Sequence, residues 1–199
     1  MFRKVGLLIV LGLMLSGCSL TSSNNVAPTT QPRLESRLLT LRDLPSGWTM
    51  HAMPQVGSDL CGAPPLSSSL VDQSGVAVSF QRNDGEILLV EYLTRTSKPV
   101  DAMERAISQV ASPSSCSESS NGRVTRKSVN VGIIEVPTVG DWSVATKNQI
   151  FSNGKRSELG YMLVRVKGFF LAVAYENAGS LDMSRLENFA NVALSKVRN

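Results

Sequence analysis

Phe169-Phe170-Leu171-Ala172-Val173-Ala174-Tyr175 is the stretch that decides the fold. Extended, it sends Phe169, Leu171, Val173 and Tyr175 to one side and Phe170, Ala172 and Ala174 to the other. Neither side is polar, so the strand belongs in the middle of a sheet covered on both faces. Its alanine side would let a helix approach closely. Leu181 to Arg198 supplies a candidate, with Leu186, Phe189, Ala190, Ala193, Leu194 and Val197 on one stripe and Ser184/Glu187 at capping-box spacing.

Upstream the signals are those of an antiparallel meander. Strand patterns run over Val124 to Val136 and Trp142 to Phe151; Asn153-Gly154 turns the chain, Leu159 to Lys167 returns it, and Gly168 allows the next reversal. Earlier, Val76, Val78 and Phe80 alternate with smaller or polar residues, Asn83-Asp84-Gly85 makes a turn, and Ile87 to Leu93 closes a hairpin. Between hairpin and meander, Val100, Met103, Ile107 and Val110 take helical spacing, predicting an amphipathic helix over Lys98 to Ala111. Pro113 ends it, and Cys116 is expected in a polar loop from Ser112 to Gly122.

Toward the N-terminus, Thr40 and Asp43 are spaced to cap a short helix, and Leu39 and Leu44 occupy hydrophobic-staple positions. Pro45-Ser46-Gly47 forms a turn that delivers Trp48 to the interior, followed by a strand over Gly47 to Met53 and a loop over Pro54 to Ser69 carrying Cys61. Strands and helices do not alternate regularly, so the class is α+β rather than doubly wound parallel.

The first residues carry a different message. Met1-Phe2-Arg3-Lys4 is basic, Val5 to Leu15 is apolar, and Leu15-Ser16-Gly17-Cys18 reads as a lipobox. The expectation is a signal peptide over residues 1–17, lipidation of Cys18, a polar Pro-containing tether over 18–32 with Thr29 and Thr30 as candidate glycosylation sites, and one domain over 33–199. Two acyl chains suffice for stable anchoring, which predicts attachment to the extracytoplasmic face of the cell membrane. Without Arg3 and Lys4 the formal charge falls from +4 to +2, 18 basic against 16 acidic residues. A nearly neutral domain has no basic footprint for nucleic acid.

With Cys18 lipidated, Cys61 and Cys116 remain as an even pair in a disulfide-permissive compartment. A bridge is the favoured reading, against two separate thiols or a shared metal. The lone histidine, His51, argues against a structural metal site.

No stretch supplies a catalytic motif. Ser152-Asn153-Gly154-Lys155 matches S-x-x-K, but Asn-Gly predicts a hairpin where that motif needs a helix, and its partner motifs are absent. His51 has no G-x-S-x-G serine to serve, and phosphate-binding glycine loops are missing, so neither catalytic residues nor a cofactor is expected. Trp48, Asp141 and Trp142 are the candidate ligand-contacting residues, as aromatic and acidic groups expected near strand ends. Turn residues leading into a strand explain Asp141 and Trp142 equally well.

Leu38-Leu39-Thr40 with Asp43-Leu44-Pro45-Ser46-Gly47-Trp48, Cys61, Cys116, Gly140-Asp141 and Val164-Arg165-Val166-Lys167-Gly168 together resemble actinobacterial, especially mycobacterial, envelope lipoproteins similar to the extracellular sensor domain of PknH-type receptor kinases. The resemblance implies a bent antiparallel sheet flanked by helices, with a cleft for an unidentified ligand. No kinase domain appears in this sequence and one disulfide stands where that sensor has two, so phosphosignalling is not carried over. The expected function is a non-enzymatic binding or sensor-like module for a small or lipidic envelope molecule or a membrane protein. A pocketless interaction protein and an envelope hydrolase are the alternatives.

Overall fold

The computed structural model describes residues 33–52, 75–82, 84–95, 104, 107, 115–120 and 123–198. Residues 1–32 and Cys61 lie outside the described residues, as do the leader, tether, lipidation and disulfide expectations that rest on them. Eight antiparallel strands form a sheet: β1 (Thr49–Met50), β2 (Val76–Gln81), β3 (Glu86–Arg95), β4 (Ser115–Ser120), β5 (Arg123–Ile134), β6 (Trp142–Ser152), β7 (Lys155–Val166) and β8 (Phe169–Ala178). Their spatial order is β1-β2-β3-β8-β7-β6-β5-β4. The expected central strand is β8, flanked by β3 and β7.

The β6–β7 hairpin turns at Asn153 and Gly154, with φ of 50° and 75°. Ser152 pairs directly with Lys155, so this tetrad is a tight hairpin turn.

Four expectations require correction. Cys116 lies not in a loop but in the edge strand β4, opposite Ser128. Ser-Cys-Ser-Glu-Ser-Ser has no apolar alternation, yet backbone bonds to β5 hold it as a strand. The first strand is confined to Thr49–Met50 rather than Gly47 to Met53. The C-terminal helix α1 (Met183–Arg198) is capped by Asp182, not Ser184: Asp182 Oδ1 accepts from Arg185 N–H at 3.2 Å and from the Ser184 hydroxyl at 2.7 Å.

The helix also packs on the opposite face from the one its alanines suggest. Leu186, Phe189, Ala190, Ala193, Leu194 and Val197 join Leu171, Val173 and Tyr175 in the main core, together with Leu39, Leu44, Trp48, Phe80, Leu89 and Met162. Close approach comes from Ala190 and Ala193 on the helix and Gly160 on β7. The alanine side of β8 contributes Phe170 and Ala172 to a second cluster with Tyr92, Val144 and Leu163, against which Ile107 packs. Glu104 and Ile107, the described part of the expected Lys98 to Ala111 helix, are helical.

Two 3-10 turns, Leu34–Arg37 and Leu41–Asp43, precede β1 and lay Leu38, Leu39 and Leu44 into the main core. The expected capping pair takes the form of an Asp43 carboxylate accepting from Thr40 N–H and from its hydroxyl, each at 2.7 Å.

A buried polar half on the second sheet face

Strand alternation makes the face opposite α1 from Ser79, Tyr92, Phe170, Ala172, Ala174, Leu163, Tyr161, Val144 and their register neighbours. At one end this face is apolar, where Ile107 packs. Toward the other it changes chemistry. One register row runs Val90, Ala174, Tyr161, Thr146; the next runs Glu176, Leu159, Asn148, Asn130; the last runs Ser157, Ile150, Ser128. Ile150, Leu159 and Tyr161 form a small apolar cluster with Ala174, and hydrogen-bonding side chains surround it.

Ser128, Thr146, Asn148, Ser157 and Glu176 are each no more than 6% exposed, and Ser79 on β2 is fully buried. Ser157 donates its hydroxyl to Glu176 Oε1 at 2.6 Å. Ser79 Oγ and Ser128 Oγ are buried without a hydrogen-bond partner. A buried polar atom left unsatisfied costs about 1–3 kcal/mol, so this half of the face is poorly explained as packing alone. Its hydroxyls, amides and phenol can donate and accept without any charge change. His51 is exposed, its N–H bonded to Ser79 O at 2.8 Å, and Lys147 is held by Glu158 on the opposite face.

That opposite face has its own buried ionic group. Glu158 accepts from Lys147 Nζ, Arg156 Nη2 and Leu181 N–H, each at 2.8 Å. Burial pushes its carboxyl upward, but these three donors outweigh it and hold the group below the usual range. The cluster pins the chain entering α1 to β7.

The structure does not bring Trp48 and Trp142 together. Trp48 is buried in the main core, edge-on to Phe189 with ring centroids 5.9 Å apart. Trp142 packs against the second cluster. Asp141 is engaged in a turn: its N–H donates to Arg165 O and its carboxylate accepts from Lys167 N–H, both at 2.9 Å. Gly140 before it has φ 73°, and a Cβ there would stand 2.7 Å from Arg165 O. The buried polar residues escaped sequence reading because only strand register assembles them. A groove of about 350 Å³ at the β1–β2 edge, lined by Gly47, Thr49, Gln81, Arg82 and Asp84, carries the Arg82–Asp84 ion pair and is separate from this face except at Gln81.

No family model and no curated protein matches the chain. Among solved structures, the extracellular domain of PknH from Mycobacterium tuberculosis aligns with a TM-score of 0.60 over 83% of this chain and 95% of that one, at 8% identity. A putative uncharacterized protein from Mycobacterium smegmatis aligns with a TM-score of 0.38 at 17% identity, covering 63% of this chain and 64% of that one. A STAR-related lipid transfer protein from Xanthomonas axonopodis gives 0.28 at 13% identity, covering 77% and 99%. The first match shows a shared fold, in agreement with the PknH-type expectation; the other two scores are too low to bear on it.

Proposed function

We propose that this chain is an extracytoplasmic, membrane-anchored binding module that acts without catalysis and holds its ligand against the polar half of the second sheet face. The observation that carries this reading is the set of buried hydrogen-bonding side chains there, with Ser128 Oγ unpartnered among them. Protein interiors pair such groups, and a ligand with hydroxyl or carbonyl groups supplies the missing partners. The adjoining apolar end, with Tyr92, Leu163 and Phe170, suits an aliphatic portion of the same ligand. The fold shared with a kinase's extracellular domain supports an extracytoplasmic setting, and the lipobox at Leu15 to Cys18 supports anchoring through Cys18.

A Cys61–Cys116 bridge belongs to the same proposal. Cys116 stands in register with Ser128, so the bridge would tie the chain around Cys61 to the rim of the polar face. An unfolding assay of the full-length chain in detergent, run against envelope fractions, tests the binding reading. A fraction that raises the Tm of the wild type but not of Asn148→Leu supports it; equal shifts in both variants reject this face as the site.

A second reading, a protein-interaction module, draws on Val131 and Ile133 of β5. Both side chains are about half exposed, at 49% and 50%, beside the bulge between Asn130 and Gly132.

A further inference from the structure

Glu91 lies at the centre of β3, paired with Val78 on one side and Val173 on the other, facing the main core. It is fully buried. Oε2 accepts from Leu39 N–H at 2.6 Å, and Oε1 has no hydrogen-bond partner. The charged groups of the surrounding elements are otherwise engaged. From the segment before β1, Asp43 binds Lys196 of α1 at 2.6 Å, and Arg37 donates to Val197 O while lying 5.4 Å from the Phe169 ring centre. On β3 itself, Arg95 sits 5.3 Å from that same ring centre. A carboxylate held by one backbone donor, without a contacting cation, is costly to keep charged in such a site.

We propose that Glu91 is a proton-controlled latch that fastens the Leu34 to Leu44 segment onto the sheet when neutral and loosens it when ionised. This segment is what joins the domain to everything before it in the chain. It is held by the Leu39–Glu91 bond, the Asp43–Lys196 pair and the Arg37–Val197 contact. The latch stands independently of the ligand-binding reading.

Burial raises the Glu91 carboxyl from 4.5 to about 7; the Leu39 N–H and the more distant Lys196 lower it, and Asp43 raises it. With the closed-state value above the open-state value, closure gains stability that is full below about pH 4.5, declines through the interval and is gone above about pH 7. Asp43 works in the opposite sense in a separate window. Burial pushes it up, but Lys196 and Thr40 more than offset this and hold it below its ordinary 3.8, so its contribution is lost only at more acidic pH.

Hydrogen exchange on the full-length chain in detergent tests the latch, read as protection factors at pH 5 and pH 8. The expected result is a rise on the order of 100-fold in opening of residues 34–44 between the two pH values, with these amides less protected than those of β7 at both and Glu91→Gln showing no pH response. Constant protection in the wild type, the same response in Glu91→Gln, or opening of residues 34–44 only together with β7 would each overturn the proposal. Should Glu91→Gln not fold, carboxyl NMR of the wild type decides: an inflection near 7 supports the latch, and one in the ordinary carboxylate range refutes it.

Discussion

Gly160 of β7 lies directly beneath Leu186 of α1, so that a Cβ at position 160 would stand 2.7 Å from Leu186 Cδ2 and 2.6 Å from Leu181 Cδ2. The absent side chain leaves room for Leu181 and Leu186 against the sheet. Gly160→Val must displace the ends of both leucine side chains, and overpacking of this kind costs about 1–3 kcal/mol. Urea unfolding should show a lower midpoint. Gly154→Ala, at an exposed turn where nothing stands within 4 Å of the added Cβ, should lose less, and only through its positive φ. Equal losses would contradict the seating.

Glu158 should make the fold acid-sensitive. Its carboxyl is held below the ordinary 4.5, so it contributes stability that is present above that value and lost as pH falls through the folded value. Glu158→Gln is expected to cost about 2 kcal/mol at neutral pH, since it strips the charge that Lys147 and Arg156 face. The cost should shrink as the pH is lowered below 4. A pH-independent cost, followed by denaturant melts across pH 3 to 7, would show that the charge is not what matters.

Glu91 should behave in the opposite direction. Glu91→Gln keeps the shape of the side chain and removes a buried charge, so above pH 7 it should stabilise the fold by about 3 kcal/mol, the linkage equivalent of a carboxyl raised from 4.5 to about 7. Below pH 4.5 the two proteins should be equally stable. A destabilised variant at pH 8 would mean that the carboxylate is satisfied in the fold.

Ser128→Ala should separate stability from binding. Removing a buried, unpartnered hydroxyl removes its desolvation penalty, with an expected gain of about 1 kcal/mol, while depriving a ligand of a hydrogen-bonding group. Chemical denaturation and ligand titration together check this. Unchanged affinity would remove Ser128 from the site.

The lipobox and the cysteine pair have covalent readouts. Cys18→Ala should leave the chain unprocessed or released from the membrane fraction, and peptide mapping without reductant should join Cys61 to Cys116. Normal processing and membrane fractionation of Cys18→Ala would remove the anchor, and free thiols at both other positions would remove the bridge.

The meander was legible because its strands announce themselves locally: β8 is apolar on both sides, and Asn153-Gly154 and Gly168 mark the reversals beside it. Strand β4 was not, because an edge strand forms through its partner's backbone and needs no apolar alternation. The side of β8 that α1 covers was not legible, because both sides are apolar and the helix's own Ala190 and Ala193 give close approach to the side carrying Leu171, Val173 and Tyr175. Ser128, Thr146, Asn148, Ser157 and Glu176 each pass in sequence for the outward-facing alternate of a strand. They come together only once register sets them around Ile150 and Leu159 on a face that is buried. Glu91 carried a signal that could have been read, a single carboxylate inside the apolar run Ile87 to Leu93.

Native mass spectrometry of the full-length chain, released from detergent after exposure to a lipid and metabolite extract of its own envelope, tests the binding account most directly. The account predicts a discrete, reproducible mass increment that Ser128→Ala and Asn148→Leu reduce or abolish while folding is retained. A bare protein mass in every extract, or an increment that both variants leave untouched, would contradict it.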